Sequence, residues 1–394
     1  MHVVFFIKSF NSTYTGGIQT HVSELGQKLI QQGHQVTIIT AANLFKKKRV
    51  YMHRNMRIVE VGYIPLKLGI HILPVDEFTF NFFALRKVKQ MLAAGEKFDI
   101  LHIQGRSGYL VDELKASIPV VATMHGLIKV ENRGILEGGV SWKKRLEMKI
   151  EERYANRIEK RIIRNADAII AVSNYMKRTL VNHFGPRETY HVIYNGIDCN
   201  KFSPDESKRK PNIILSVARL DPRKGIHFLI DAIHELHREF PQLKVRIVGK
   251  GHQETELRKR IEHYGLSDSV KLVGQKQQDE IIEEYQTADL FVLPSLEESQ
   301  GIVFMEAMAC GTPVVAYNIP GVDEVVEHQV DGLLVEKGDV KALTRAIRTV
   351  MMDESLRKRL GEQGRKNMVQ KFDWKIIAKQ TSQLYQQLIS LRRK

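Results

Sequence analysis

The stretch Pro294-Ser-Leu-Glu-Glu-Ser-Gln-Gly-Ile-Val-Phe-Met-Glu-Ala-Met-Ala-Cys-Gly-Thr-Pro-Val-Val-Ala316 carries the most structural information in this chain. It follows the apolar run 290–293, whose lack of polar alternation marks a strand buried on both faces, as in a parallel sheet. Ile302, Met305, Glu306 and Ala309 then recur at helical spacing, Gly311 stops the helix, and 313–316 begins another strand. A helix that starts at the carboxyl end of a parallel strand points unpaired N–H groups and its positive dipole end at whatever lies there. The amides near Gly301, Ile302 and Val303 therefore make an anion site. Glu298 lies on the turn, and Glu306 one turn inside the helix. Spacing leaves two readings of Glu306 open: an exposed helix residue, or an acceptor for the vicinal hydroxyls of a sugar.

Working outward, 394 residues allow two domains of ordinary size, each with its own core. A chain that is 43% hydrophobic and 27% charged is an ordinary globular protein, not a disordered one. Cys199 and Cys310 are too few for a disulfide framework, and no Cys/His cluster has metal-ligand spacing, so a reducing cytoplasmic setting is expected. Residues 1–7 read as a first strand and not as a signal peptide. No uncharged apolar run approaches the roughly 18 residues that a membrane span requires. The net charge of +15 is uneven, since residues 1–205 carry 30 Lys or Arg against 18 Asp or Glu, whereas 206–394 carry 30 against 27. The basic excess thus belongs to the first part, where a membrane surface, a phosphorylated acceptor or nucleic acid would find it.

In chain order, a strand at 3–7 leads through a loop to Gly16-Gly17 and a helix with Ile18, Val22, Leu25, Leu29 and Ile30 inward. Glycines just ahead of a helix suit close approach to a ligand, or else a plain tight turn. The G-x-G-x-x-G spacing is absent, which disfavours a nicotinamide dinucleotide. The run 46–49 is a basic loop. A helix over 76–95 is expected to carry Phe78, Phe82, Leu85 and Val88 inward. Strands at 98–103 and 119–124 deliver His102, Gly105, His125 and Gly126 near their carboxyl ends, where parallel sheets bind ligands. His125 is placed to face a ligand; His102, within its strand, is expected to be packed. Residues 142–165 form a basic helix with an apolar stripe of Leu146, Ile150, Tyr154, Ile158 and Ile162. Such a helix either lies on an anionic membrane or buries one face in its own domain.

A polar connector at 201–212 precedes a second α/β series. There Arg219 and Lys224 flank a strand-to-helix turn, an arrangement that suits a diphosphate. Gly249 lies in a glycine-rich turn, and Gly274-Gln275 follow another strand. Residues 322–326 are expected to begin a helix, and the last helix, 374–391, to carry Ile377, Leu384, Leu388 and Leu391 on one face.

Several motifs in order give this chain a family resemblance over nearly its whole length. They are Gly16-Gly17, Thr123-Met-His-Gly126, Ala166-Asp-Ala-Ile-Ile-Ala-Val-Ser173, Asn195-Gly-Ile-Asp198 with Phe202, Val217-Ala-Arg-Leu220 with Lys224-Gly225, and Glu298 with Glu306. The chain resembles family 4 glycosyltransferases of the α/β GT-B fold. That resemblance implies two Rossmann-like doubly wound domains facing across a cleft: 1–205 on the acceptor side, 206–372 binding a nucleotide sugar, and a closing helix, 373–394, crossing back to the first. It implies a retaining transferase using a UDP- or GDP-sugar and a sugar or lipid-linked acceptor, in cell-surface glycan or glycolipid synthesis. Carried over by position, Arg219 and Lys224 hold the diphosphate, Glu306 the ribose, and Glu298 with the amides of Gly301, Ile302 and Val303 the donor sugar. His125 contacts that sugar, Gly16 and Gly17 lie near the diphosphate or acceptor, Gly249 lines the donor site, and Gly274 and Gln275 lie by the base. Gln300 departs from the pattern, standing where many members have an aromatic residue. Asp-x-Asp occurs nowhere in the sequence, so no metal and no other cofactor is expected.

Three other readings stay beside this one. An epimerase on the same fold would rearrange the donor without an acceptor. A phosphorylase is disfavoured because no lysine context suggests a pyridoxal Schiff base. A basic nucleic-acid-binding protein rests on charge alone and lacks a reading motif or interleaved aromatics.

Overall fold

The computed structural model describes residues 1–10, 16–45, 47–65, 75–130, 132 and 142–393. The chain forms two compact units, one holding it up to Gly196 and again from Trp374, the other Ile197–Asp373. The first unit's sheet contains β1 His2–Phe6, β2 Gln35–Asn43, β3 Val50–His53, β4 Met56–Tyr63, β5 Ile100–Gln104, β6 Val120–Met124, β7 Ala168–Ala171 and β8 Tyr190–Val192. Their order is β3-β4-β2-β1-β5-β6-β7-β8. Every pairing is parallel except the β3/β4 hairpin.

Apolar runs make these strands because both faces are covered. Val4 and Phe6 enter one core with Leu101, Ile103 and the helix Val75–Ala93. Val3, Phe5 and Ile7 enter the other with Val22 and Leu25 of the helix Gly17–Gln31 and with Trp374, Ile377 and Tyr385 of the closing helix Trp374–Arg393.

The second unit's sheet contains β9 Ile213–Val217, β10 Lys244–Val248, β11 Val270–Gly274, β12 Leu290–Leu293, β13 Val314–Asn318 and β14 Gly332–Glu336. It is wholly parallel, in the order β11-β10-β9-β12-β13-β14. The strand order reverses between β1 and β5 in the first sheet and between β9 and β12 in the second. Ligands of doubly wound sheets bind at the carboxyl ends of the strands at such points.

Several expectations need correction. The first unit ends at Gly196, before the expected boundary at 205, because 197–205 pack within the second unit. Ile197 N donates to Phe372 O at 2.8 Å, and Arg365 donates to the carbonyls of Cys199 and Phe202 at 2.7 and 2.6 Å. Phe78 and Phe82 are 49% and 45% exposed, and Phe80, Ala84, Leu85 and Val88 form the buried stripe instead. In the helix Trp142–Asn165, Leu146 is 53% exposed while Met148 and Ala155 are buried. Leu391 is 69% exposed, so the inward face of the closing helix stops before it. Residues 321–325 form turns, with Val322 and Asp323 both returning to Ile319 O, and not a helix. Lys46 and most of the loop before Gly16 lie outside the described residues.

Candidate functional site

In the second unit the switch point is built from the ends of β9 and β12. Gly225 has φ +64°, and a Cβ there would stand 2.0 Å from Pro294 O, so the turn after β9 is seated hard against the end of β12. Leu296 N donates to Arg223 O at 2.7 Å across the same junction. Lys224 Nζ then donates to Glu298 Oε1 at 2.6 Å, and Ser295 Oγ donates to the same oxygen at 2.9 Å. The two residues are distant in sequence and meet because their strands are neighbours.

Asp221, only 2% exposed, organises the cations. It accepts from Arg219 Nε at 2.8 Å, from Arg223 Nη2 at 3.4 Å and from Arg223 N at 3.1 Å. Burial pushes its carboxyl up, but Arg223, Arg219 and Lys224 outweigh that and hold it below the usual range. Arg219 is tethered through Nε, with its side chain 65% exposed, so the fork of its terminal nitrogens faces outward. That is the geometry for bidentate contact with phosphate oxygens. Behind it, a Cβ on Gly249 would stand 1.8 Å from Ala218 O, and Gly249 N donates to Gly274 O at 2.8 Å, so the turns after β9, β10 and β11 are stacked. Gln275 is exposed just beyond.

After β12, Gly301 (φ +79°) opens the helix Ile302–Ala309 without a side-chain cap, leaving its first amides for a ligand. Ile302 and Val303 are half-buried. Glu306, one turn in, accepts from the hydroxyl of Tyr285 at 2.8 Å, a residue on the helix Gln278–Thr287. Part of Glu306 still meets solvent, yet burial pushes its carboxyl up to about 7 against the opposing pull of Tyr285 and Lys201. Gln300 is buried with its amide 3.3 Å from Met305 Sδ, so its side chain is turned into the protein and not out from this loop.

The first unit has its own polar cluster behind β5 and β6. His125 Nε2 lies 2.8 Å from Gln104 Oε1, and its ring meets that of His21 edge-on at 4.9 Å. His21, one turn inside the helix headed by Gly16 and Gly17, places Nδ1 2.8 Å from Asn195 Oδ1. Burial lowers His21 to about 4 and holds His125 well below its ordinary value, with His21 and His102 adding to the effect on His125, so both rings are neutral at pH 7. His102 is packed, bonded to Tyr385 Oη at 2.5 Å and to Thr123 Oγ1 at 2.7 Å. Gly16 is extended and half-buried; Gly17 is exposed.

Arg219, Lys224, Gly249, Gly274, Glu298, Gly301, Ile302, Val303 and Glu306 thus share the carboxyl edge of the second sheet, whereas His125, Gly16 and Gly17 belong to the first unit. Sequence reasoning missed Asp221, Tyr285, Gln104 and His21. One signal was available: His21 follows Gly17 into its helix much as Glu306 follows Gly301.

Residues 15–201 match the sequence family Glycosyltransferase Family 4, and residues 200–367 match Glycosyl transferases group 1. The chain is 31% identical over 271 residues to a glycogen synthase of Mycobacterium tuberculosis, a match that covers 68% of this chain and only 63% of that enzyme. It is 28% identical over 400 residues to the D-inositol 3-phosphate glycosyltransferase of Corynebacterium jeikeium, covering 95% of this chain and 92% of the relative. Among solved structures, sucrose-phosphate synthase from Thermosynechococcus elongatus is similar with a TM-score of 0.80 at 26% identity, covering 99% of both chains. With matches running from residue 15 to residue 367 and a switch-point site in each sheet, the chain belongs to the family 4, group 1 glycosyltransferases of the GT-B fold.

Proposed function

We propose that the protein transfers a sugar from a nucleotide diphosphate sugar to an acceptor hydroxyl with retention of anomeric configuration, in the synthesis of a cell-surface glycan or glycolipid. The observation that carries this reading is the Lys224–Glu298 pair, 2.6 Å apart at the second sheet's switch point, beside the outward fork of Arg219. In the reaction the bond between anomeric carbon and diphosphate breaks and negative charge grows on the leaving phosphate. Arg219 and Lys224 meet that charge, the electrostatic work this reaction most needs, while the amides of Gly301, Ile302 and Val303 help Glu298 position the donor sugar. Glu306 accepts the ribose hydroxyls, Glu298 the hydroxyls of the transferred sugar, and neutral His125 is assigned to the same sugar. Gly249, Gly274 and Gln275 border the nucleotide, and Gly16 and Gly17 the diphosphate or acceptor. The acceptor oxygen bonds to carbon on the face the diphosphate leaves, and its proton passes to the departing phosphate oxygen. No positioned protein base is then required.

Because the cations supply the positive charge, turnover is independent of divalent metal on this reading. Activity lost on chelation and restored by magnesium would overturn that part. The basic face of the helix Trp142–Asn165, with Lys149, Arg153, Arg157, Lys160 and Arg164 exposed, supports peripheral contact with an anionic membrane. Among the described residues no helix is long and apolar enough to cross one. Sedimentation with anionic vesicles at low salt tests this; binding undiminished when those five residues are replaced would refute it.

The site itself is tested by a thermal-shift panel of UDP, GDP, ADP and their sugar conjugates, repeated on Glu306→Ala. A ligand that binds only the folded state raises Tm. The reading requires a rise selective for one base and lost in the variant; no rise with any nucleotide would count against it.

A further inference from the structure

The first sheet's switch point carries a cluster of charges that the donor chemistry does not use. There β1 runs out into Ile7 and Lys8, and β5 into Gly105, Arg106 and Ser107. Lys8 N donates to Ser107 Oγ at 3.2 Å, which ties the two strand ends together. The helix Val75–Ala93 brings Asp76 and Glu77 in its first turn. Lys8 Nζ pairs with Asp76, and Arg106 Nη2 pairs with Glu77 Oε1 at 3.0 Å. Asn81, one turn further along, donates to Glu77 O at 2.7 Å and accepts from Tyr109 N at 2.8 Å, so the helix start and the loop after β5 are held together. Glu77 Oε2 is buried and has no hydrogen-bond partner among the described residues.

We propose that Lys8, Asp76, Glu77 and Arg106 form an acceptor subsite that reads the hydroxyls of an uncharged sugar and discriminates against phosphate. This rests on the transferase reading. Each cation here is matched by a carboxylate, so the cluster has no net charge with which to draw a dianion. The ion pairs at the other switch point are uneven: Arg219, Arg223 and Lys224 pair with two carboxylates, Asp221 and Glu298. A phosphate at Lys8 and Arg106 would also face Asp76 and Glu77, and it brings no hydrogen for Glu77 Oε2. A sugar hydroxyl does both jobs, donating to a carboxylate oxygen and accepting from an ammonium or guanidinium. A buried acceptor without a donor is costly unless a ligand supplies one.

The test is saturation-transfer NMR on the full chain, with UDP or GDP present, using methyl α-glucoside, methyl α-galactoside and methyl α-mannoside beside their 6-phosphates. At least one neutral glycoside is expected to bind about tenfold more tightly than its phosphate, and Glu77→Gln to weaken it about tenfold. Arg106→Lys is the second variant: it keeps the charge and loses the planar fork, and it covers the case in which Glu77→Gln does not fold. Tighter binding of the phosphates, neutral binding unmoved by both variants, or binding of neither class overturns the proposal. If no nucleotide shifts Tm, the transferase reading falls as well; if one does while the glycosides fail, only this subsite falls.

Discussion

At Glu306 the surrounding protein holds a carboxylate near the middle of its titration at physiological pH, because burial lifts it to about 7. On the proposed reading, the ionised form is the one that accepts two ribose hydroxyls. Nucleotide affinity is therefore predicted to rise with pH up to about 7 and level off above it, falling by up to about tenfold per pH unit below. The ligand-free protein runs the other way: its raised carboxyl prefers the proton when folded, so this group's contribution to stability declines as pH rises from the unfolded value towards 7. Calorimetric titration of the nucleotide between pH 5.5 and 8, with Glu306→Gln as the control that abolishes the slope, checks this; a flat profile in the native protein contradicts it. Asp221 offers a second case. Asp221→Asn keeps an oxygen for Arg223 N but loses the charge that anchors Arg219 and Arg223. Turnover should drop about tenfold or more with a smaller change in KM, because leaving-group charge is greatest in the transition state. Steady-state kinetics decides it, and a change confined to KM would assign Asp221 to ground-state binding. The candidate residues at the strand ends were legible because chemistry-bearing side chains in turns at strand ends have few other uses. Their supports were not, since Tyr285 reaches Glu306 from another helix and His21 reaches Asn195 across most of the first unit.

At the scale of the element, the parallel strands were readable as apolar runs, and helix faces were less so. The helix Val75–Ala93 has apolar residues at helical spacing on two adjacent faces, and the period does not say which face meets the sheet. Phe80 is fully buried and Phe78 is 49% exposed. Phe80→Ala should cost about 3–5 kcal/mol, and Phe78→Ala less than about 1 kcal/mol. Urea unfolding of the two variants distinguishes them, and equal losses would mean that Phe78 is covered in solution. The turn at 321–325 escaped for a similar reason: Val322, Val325 and Val326 have helical spacing but are buried by a short turn. Close approach sets another limit. Gly225→Ala and Gly249→Ala would drive a methyl group into Pro294 O and Ala218 O, 2.0 and 1.8 Å from the ideal Cβ. Both variants should lose nucleotide binding together with stability, read as a lower Tm that saturating nucleotide fails to restore. Unaltered binding would show that the stacked turns can part without cost.

At the scale of the whole molecule, motifs in the right order were enough to indicate two doubly wound units, while the boundary between them was misread. The sequence 201–212 looks like a linker from its polarity and proline content. The chain changes unit earlier, because Ile197 bridges to the backbone at Asp373 and Phe202 packs on Tyr285, contacts within the second unit that composition does not reveal. Ile197–Asp373 is continuous and closes its own sheet, so it should melt cooperatively and bind nucleotide when expressed alone. Residues 1–196 alone lack Trp374, Ile377 and Tyr385 from one core and should be aggregation-prone unless 374–394 is supplied in trans. Circular dichroism melts of the two fragments test the pair of statements, and a stable 1–196 fragment would contradict the second.

The placement of Trp374–Arg393 in the first unit's core also sets an order of assembly during translation. The strands of the first unit leave the ribosome early, but one side of their sheet stays only partly covered, by the helix Gly17–Gln31, while all of Ile197–Asp373 is synthesised, a wait of roughly ten seconds or more at ordinary elongation rates. The unit begun first is therefore finished last, after its neighbour has had time to fold. A stop codon just before Trp374 would spare nearly every motif in the sequence and still leave that first unit unable to close, which makes this late segment as critical to it as the early strands.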